Sequence, residues 1–261
     1  MARTRSARHR HICWIVYLGI LITVLPPGWS QLGPLSEPGQ APQAKSQDEF
    51  DSYLEIVTET DPRRVIQRVD AMASHFPDSK LLGIAYQYQM HAYQQIGNAD
   101  GMLAAGKKAL TAIPDNLNTL LTLAPAMANF AVQRPDRAQL LSQAETYARA
   151  ALDAIEKIHP PHQVSLEDWT QQKRSMQSSA HETLGVIDLD HGNASGAVTE
   201  FETAIQLRPV PEGALFFRLG VAYRAARRND DARNAWNHAA QLGPDVIRKL
   251  ASDQLKGLAA K

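Results

Sequence analysis

Three short stretches of this chain bring metal-binding or proton-transferring side chains close together. His181-Glu182 is half of the His-Glu-x-x-His motif, in which two histidines one helical turn apart grip zinc and the glutamate acts as general base. The second histidine is missing, and Gly185 stands in its place. His159-Pro160-Pro161-His162 pairs two imidazoles, but the prolines put them in a connection between helices and no third ligand stands beside them. His181 and Asp188 are seven residues apart, about 10.5 Å along a helix, too far to bond each other. Each must find a partner on another helix or line an opening. There is no Gly-x-Ser-x-Gly elbow, phosphate loop or dinucleotide fingerprint. The expectation is a chain with no catalytic residues, no metal and no cofactor. The competing enzyme reading would rest on His159, His162 or His181 with a bound metal.

Side chains suited to binding are more plentiful. Tyr86 and Tyr93 fall in core slots of one helix, whereas Tyr88 lies off that face and can meet a partner. Arg224, Arg227, Arg228 and Arg233 form a basic run near the end. Residues 205–261 hold ten basic and five acidic residues, while 31–204 hold thirteen and twenty-two. The 27 basic and 27 acidic residues of the 261-residue chain cancel, which argues against nucleic acid as main partner. The cancellation hides an acidic body and a basic end that could orient a partner or let copies stack head to tail. The composition, 44% hydrophobic and 21% charged, excludes collagen-like and wholly disordered chains. The one cysteine, Cys13, excludes an intrachain disulfide and a cysteine-based zinc site.

The first thirty residues read as a targeting segment. Arg3, Arg5, Arg8 and Arg10 precede an apolar run from Ile12 to Leu25, which Pro26-Pro27 ends. Fourteen helical residues span about 21 Å, short of the ~30 Å hydrocarbon core. Gly28 and Ser30 supply the small residues of a cleavage site before Gln31, so residues 1–30 are expected to be a signal peptide. The alternative is an uncleaved anchor at residues 12–25; in either case the remainder is exported, to the periplasm or outside the cell. Residues 31–47 are rich in Pro, Gly and Gln without an aromatic residue, the composition of a flexible linker.

From Asp48 onward the apolar spacing is helical nearly throughout, and it repeats. Residues 213–246 carry Phe216, Leu219, Gly220, Tyr223, Ala232, Trp236, Ala239 and Pro244. Thirty-five residues earlier, 178–211 carry His181, Leu184, Gly185, Asp188, Ala197, Phe201, Ala204 and Pro209. Small residues at these places let paired helices approach, and the prolines end the second helix of each pair. Weaker copies occupy 46–79 and 83–116. The latter has Met90 in the glycine slot and Gly106 in the second aromatic slot. Gly97-Asn98 and Gly192-Asn193 suit a C-cap followed by a tight connection, and Asp61-Pro62 an N-cap followed by proline in the first turn. Residues 117–177 are irregular: one helix runs to about Ile158, and a long one starts after Ser165 and reaches His191. A last helix, 245–258, would cover the end of the stack.

This pattern resembles the tetratricopeptide repeat (TPR), closely over 178–246 and loosely over 46–246. The resemblance implies an all-α, right-handed solenoid of about five antiparallel helix pairs plus a C-terminal capping helix, filling residues 48–261. It also implies a concave groove that binds a peptide or protein, lined by the first helix of each pair. Carried onto this chain, the groove positions are Gln87, His91, Gln94, Gln95, Ser179, Glu182, Val186, Phe217, Val221 and Arg224. Relatives that clamp a C-terminal carboxylate use lysine and asparagine at such positions. Here Gln87, Glu182 and Phe217, then His91, Val186 and Val221, stand instead, which speaks against a receptor for chaperone tails. The expected function is a non-enzymatic interaction scaffold of the bacterial cell envelope. A membrane-anchored component of envelope assembly or secretion is the alternative.

Overall fold

Hairpins form here because capping residues stop one helix and start the next every 15 to 29 residues. In a computed structural model, the described residues are 43–160, 164–210 and 212–259, and they form eleven α-helices with no strand among them. Hairpin 1 pairs α1 (Gln47–Thr58) with α2 (Pro62–His75), and hairpin 2 pairs α3 (Leu82–Gln95) with α4 (Ala99–Ala112). Hairpin 3 pairs α5 (Leu117–Phe130) with α6 (Arg137–Lys157), through a short 3-10 turn at Ala131–Gln133. Hairpin 4 pairs α7 (Leu166–Asp190) with α8 (Ala194–Leu207), and hairpin 5 pairs α9 (Gly213–Ala225) with α10 (Asn229–Leu242). The capping helix is α11 (Asp245–Ala259). Each helix packs on its partner, and each hairpin on the next. The expected all-α solenoid of five pairs and a cap is the observed architecture. Residues 1–42, which contain the proposed signal peptide and most of the linker, lie outside the described residues. Helix α1 starts just inside the stretch read as linker, with Ser46 as its N-cap accepting the Glu49 amide.

The side chains of Ser46, Asp61, Asn98, Asn116, Ser165 and Asn193 each accept a backbone N–H in the first turn of the following helix. Every such cap stabilises its helix by about 1 kcal/mol. The tight turns of hairpins 2, 4 and 5 share one geometry. Asn98, Asn193 and Arg228 donate their amides back to Tyr93, Asp188 and Tyr223, closing the helix end in a Schellman motif. The residue before each has a left-handed backbone: Gly97 at φ 70°, Gly192 at φ 79° and Arg227 at φ 62°. In hairpin 5 the glycine is thus replaced by arginine, a residue whose Cβ makes that conformation costly.

Close approach within a hairpin depends on one large side chain meeting one glycine. A Cβ on Gly185 of α7 would lie 2.8 Å from the Phe201 ring of α8. A Cβ on Gly220 of α9 would strike Trp236 of α10, whose indole N–H donates to the Phe217 carbonyl at 3.2 Å. These rings therefore fill the space inside each hairpin rather than only the gap between hairpins. Hairpin 2 reverses the arrangement: a Cβ on Gly106 of α4 would lie 2.9 Å from the Met90 sulfur of α3 and 2.8 Å from Leu123 of α5 in the next hairpin. Both departures of this repeat from the pattern are one exchange of volume across the same seam.

The middle of the chain is irregular because α5 is covered almost all round, by α4, α6 and the 25-residue α7. Leu117, Leu120, Leu121, Leu123, Met127 and Ala128 are all buried. Helices α6 and α7 are tied at both ends: Arg137 pairs with Asp190, and Glu156 accepts from Lys173 at 3.0 Å and Gln177 at 2.8 Å. One apolar core runs continuously from Leu103 in α4 to Ala251 in α11. Hairpin 1 and the start of α3 close around a separate, smaller core of Ile56, Val65, Val69, Met72, Leu81 and their neighbours.

Candidate partner-binding face

The ten positions expected to face a groove divide into three groups. Gln94 and Gln95, at the end of α3, are exposed. Gln87, His91, Ser179, Glu182, Val221 and Arg224 are half-buried. Phe217 and Val186 belong to the core, Phe217 with no exposed surface at all. For these two the groove assignment is corrected: an apolar side chain at this register gains more from burial than from a place on the surface.

Several of the half-buried polar groups already have partners. Glu182 of α7 accepts from Arg208, which caps α8, at 3.2 Å, and from Arg218 of α9. Arg208 also donates to the Ser178 hydroxyl at 3.1 Å and pairs with Glu212 at 2.6 Å. This network stitches hairpin 4 to hairpin 5. Breaking it would strand partly buried charge, so Glu182 serves structure first. Arg224 donates to Gln254 of the capping helix at 2.9 Å and lies over the Trp236 ring, 5.9 Å from its centre. Gln87 accepts from Asn116, the N-cap of α5, at 3.2 Å. Burial lowers the His91 pKa, an effect partly offset by a hydrogen bond with Gln94.

The histidines singled out for chemistry are accounted for individually. His181 bonds Glu200 on α8 at 2.7 Å, and Asp188 accepts from Asn193 at 2.9 Å in the hairpin 4 turn. His159 is exposed, and His162 lies outside the described residues. No group of three histidine, cysteine, aspartate or glutamate side chains converges on a metal site among the described residues. None of the described helices is long and apolar enough to cross a membrane.

The face left open by these contacts centres on hairpins 1 and 2. Tyr88 is exposed on α3, and Tyr53 of α1 stands near it, close enough that Tyr88 opposes the ionisation of Tyr53. Burial is the larger cause of the raised Tyr53 pKa. Tyr86 and Tyr93 pack as expected, Tyr86 under the Lys108 ammonium and Tyr93 against Gly101. Sequence reasoning missed the share of α1 in this face. Phe50, Tyr53, Leu54 and Val57 stand at i, i+3, i+4 and i+7, and this spacing marks one stripe of a helix. Phe50, Leu54 and Val57 of that stripe are exposed, while Ile56 and the carboxylate-bearing Glu49 face inward. Hydrogen bonding from Ser79 and from the Lys45 amide holds the Glu49 carboxyl below the usual carboxylate range.

No protein-family profile matches the chain, and no curated protein matches it either. Solved structures do. TTC0263, a thermophilic TPR protein of Thermus thermophilus, is 16% identical over 79% of this chain and 98% of its own, with a TM-score of 0.50. The MamA RS-1 ArsTM double mutant is 11% identical over 80% of this chain and 98% of its own, with a TM-score of 0.52. At such identities the likeness concerns the path of the backbone. The chain has the fold of a tetratricopeptide-repeat protein.

Proposed function

We propose that this protein is a protein-interaction scaffold that holds a peptide or protein partner on the first-helix face of hairpins 1 and 2. One observation carries the reading: Tyr88, Gln94 and Gln95 stand exposed on a helix whose opposite side is locked into the core. Tyrosine on a rigid helix binds with little loss of side-chain freedom, and tyrosine and glutamine together offer both apolar area and hydrogen bonds. Glu182 and Arg224 are less suited as contacts, because their charges are engaged within the chain. The test is capture of the native partner by the wild-type protein and by Tyr88→Ala and Gln95→Ala variants. Each truncation should weaken binding, Tyr88→Ala by about 1–2 kcal/mol, without moving the melting temperature. Undiminished capture by both variants would remove the face from consideration.

We further propose that the protein is exported and acts in the cell envelope. The support is the order of four arginines, a short apolar run and small residues before Gln31. N-terminal sequencing of the exported protein should begin at Gln31; a chain that retains residues 12–25 would instead be an anchored component.

A further inference from the structure

The junctions between successive hairpins differ in how much holds them. At most junctions the second helix of one hairpin packs closely on the first helix of the next, and the two first helices also meet. Between hairpins 2 and 3 both contacts are at their sparsest. Leu103 and Leu110 of α4 reach the large core from there. Met90 and Met102, buried in hairpin 2, form a small cluster of their own with Tyr93, and Ala126 and Phe130 of α5 lie against it.

The chain crosses this junction in the four residues between α4 and α5. Ile113 belongs to hairpin 2, since a Cβ on Gly83 of α3 would lie 2.6 Å from its side chain. Asn116 belongs to hairpin 3 as the N-cap of α5, and it donates to Gln87 of α3 at 3.2 Å. Between them stand Pro114 and Asp115, both exposed. At the opposite end of α4, about 20 Å away by helical rise, Arg134 reaches back from the hairpin 3 turn to Asp100 in the first turn of α4. Arg134 also pairs with Asp136 at 3.0 Å. An exposed pair such as Arg134–Asp100 holds weakly and is screened by salt. The next hairpins are tied otherwise, through Glu182 and two arginines that are mostly buried.

An array held together by neighbour contacts parts most readily where those contacts are weakest. A hinge needs a short connection that absorbs the rotation while the bodies on either side stay packed. We propose that hairpins 1 and 2 swing as one body on hairpins 3 to 5 about residues 113–116, and that the Arg134–Asp100 pair is the latch of the closed form. Rotation about that connection parts the hairpin turns most. It draws Phe130 and Ala126 away from the Met90–Met102 cluster and opens apolar surface beside Gln94 and Gln95, at the end of α3. Use of that surface by a partner rests on the function proposed above; the hinge and its latch rest on packing alone.

The buried methionines report the motion in the full chain. Met72 lies in hairpin 1, Met90 and Met102 at the junction, and Met176 in hairpin 4, each with almost no exposed surface. Oxidation by dilute hydrogen peroxide, read at each methionine by mass spectrometry, follows the population that exposes it. Asp100→Asn and Arg134→Gln should each speed oxidation of Met90 and Met102 by about two- to fivefold, the worth of one exposed ion pair. Met72 and Met176 should keep their rates. High salt should act like the variants, Asp100→Glu should behave as wild type, and the double variant should go no further than Arg134→Gln alone. Rates at Met90 and Met102 that neither variant changes would overturn the proposal. So would an equal rise at Met72 or Met176, the sign of fraying or general loosening. An effect of Asp100→Asn with Arg134→Gln silent would trace to the α4 dipole and remove the latch. Partner capture is a separate reading: a partner bound no better by Asp100→Asn would count against the groove and leave the methionine rates as they are.

Discussion

The two ends of this solenoid are built differently. At the C-terminal end, hairpins 3 to 5 and α11 share one continuous core, and α11 closes it with Ile247 and Ala251 inward and its charges outward. Arg224 and Gln254 pin that cap to hairpin 5. At the N-terminal end, hairpin 1 leans on a small separate core and has no helix in front of it among the described residues. Its first helix hides a carboxylate and shows its apolar stripe. In a quasi-one-dimensional array, stability is a sum of unit and neighbour terms. A unit with one neighbour and a small core should open first.

Core truncation is expected to have the largest effect. Trp236→Ala should cost about 3–5 kcal/mol and lower hydrogen-exchange protection from α7 to α11, because the lost volume sits in the shared core. Ile56→Ala removes a side chain that is just as completely buried. Its cost of about 2–5 kcal/mol should appear as lost protection in α1, α2 and the part of α3 that lines the same core. Equal loss of protection in α9 after Ile56→Ala would break the distinction between the ends.

A smaller effect of opposite sign is expected at the turns. Arg227→Gly removes the left-handed arginine and should stabilise hairpin 5 by roughly 0.5–1 kcal/mol. Gly192→Ala, at the matching place in hairpin 4, should destabilise by about 1 kcal/mol. Urea denaturation of the two variants reads both signs, and a destabilised Arg227→Gly protein would mean that the arginine is held there by something beyond its own backbone.

Response to pH separates the ends once more. Glu49 has a lowered pKa in the folded chain, so its contribution is complete above the ordinary value of 4.5 and is lost as pH falls through the folded value. Hairpin 1 should therefore open first in acid, and Glu49→Gln should remove that step. At the other end, burial, then a hydrogen bond to Glu202, pushes the Tyr223 pKa from 10.0 up to about 12. Its neutral phenol stabilises the fold below pH 10, and that contribution is lost as pH rises through about 12. Circular dichroism with local exchange should show acid opening at α1 and alkaline opening at α9, with Tyr223→Phe resistant to the latter, while the half-buried Tyr53 phenol adds an alkaline loss at α1.

The regular hairpins were legible because their seams use a fixed pairing of small and large residues, Gly185 with Phe201 and Gly220 with Trp236. The turn at Gly192-Asn193 was legible for a similar reason: only a few residues accept that backbone. Helix α5 was not, since burial on nearly every side erases the polar face that gives a helix its period. The groove was legible only in part. Register places Phe217 and Glu182 at equivalent positions, but the apolar one sinks into the core while the acid is captured by Arg208 and Arg218. Which neighbours would claim each side chain depends on contacts between hairpins, and spacing along one helix does not encode those. The stripe on α1 was visible as a period; its outward direction was not, because Ile56 and Glu49 take the inner side.

The exchange of Met90 and Gly106 also bears on how such an array could be recombined. Hairpins 2, 4 and 5 each carry their own glycine and their own bulk at this seam, whereas the helices of hairpins 1 and 3 contain no glycine. Single helices of those three are not interchangeable. Joining α3 to α8 would set Met90 against Phe201, and joining α7 to α4 would set Gly185 opposite Gly106. A lineage or a designer shuffling this chain must not cut within hairpins 2, 4 or 5, and a cut after hairpin 2 would also part Gly106 from Leu123.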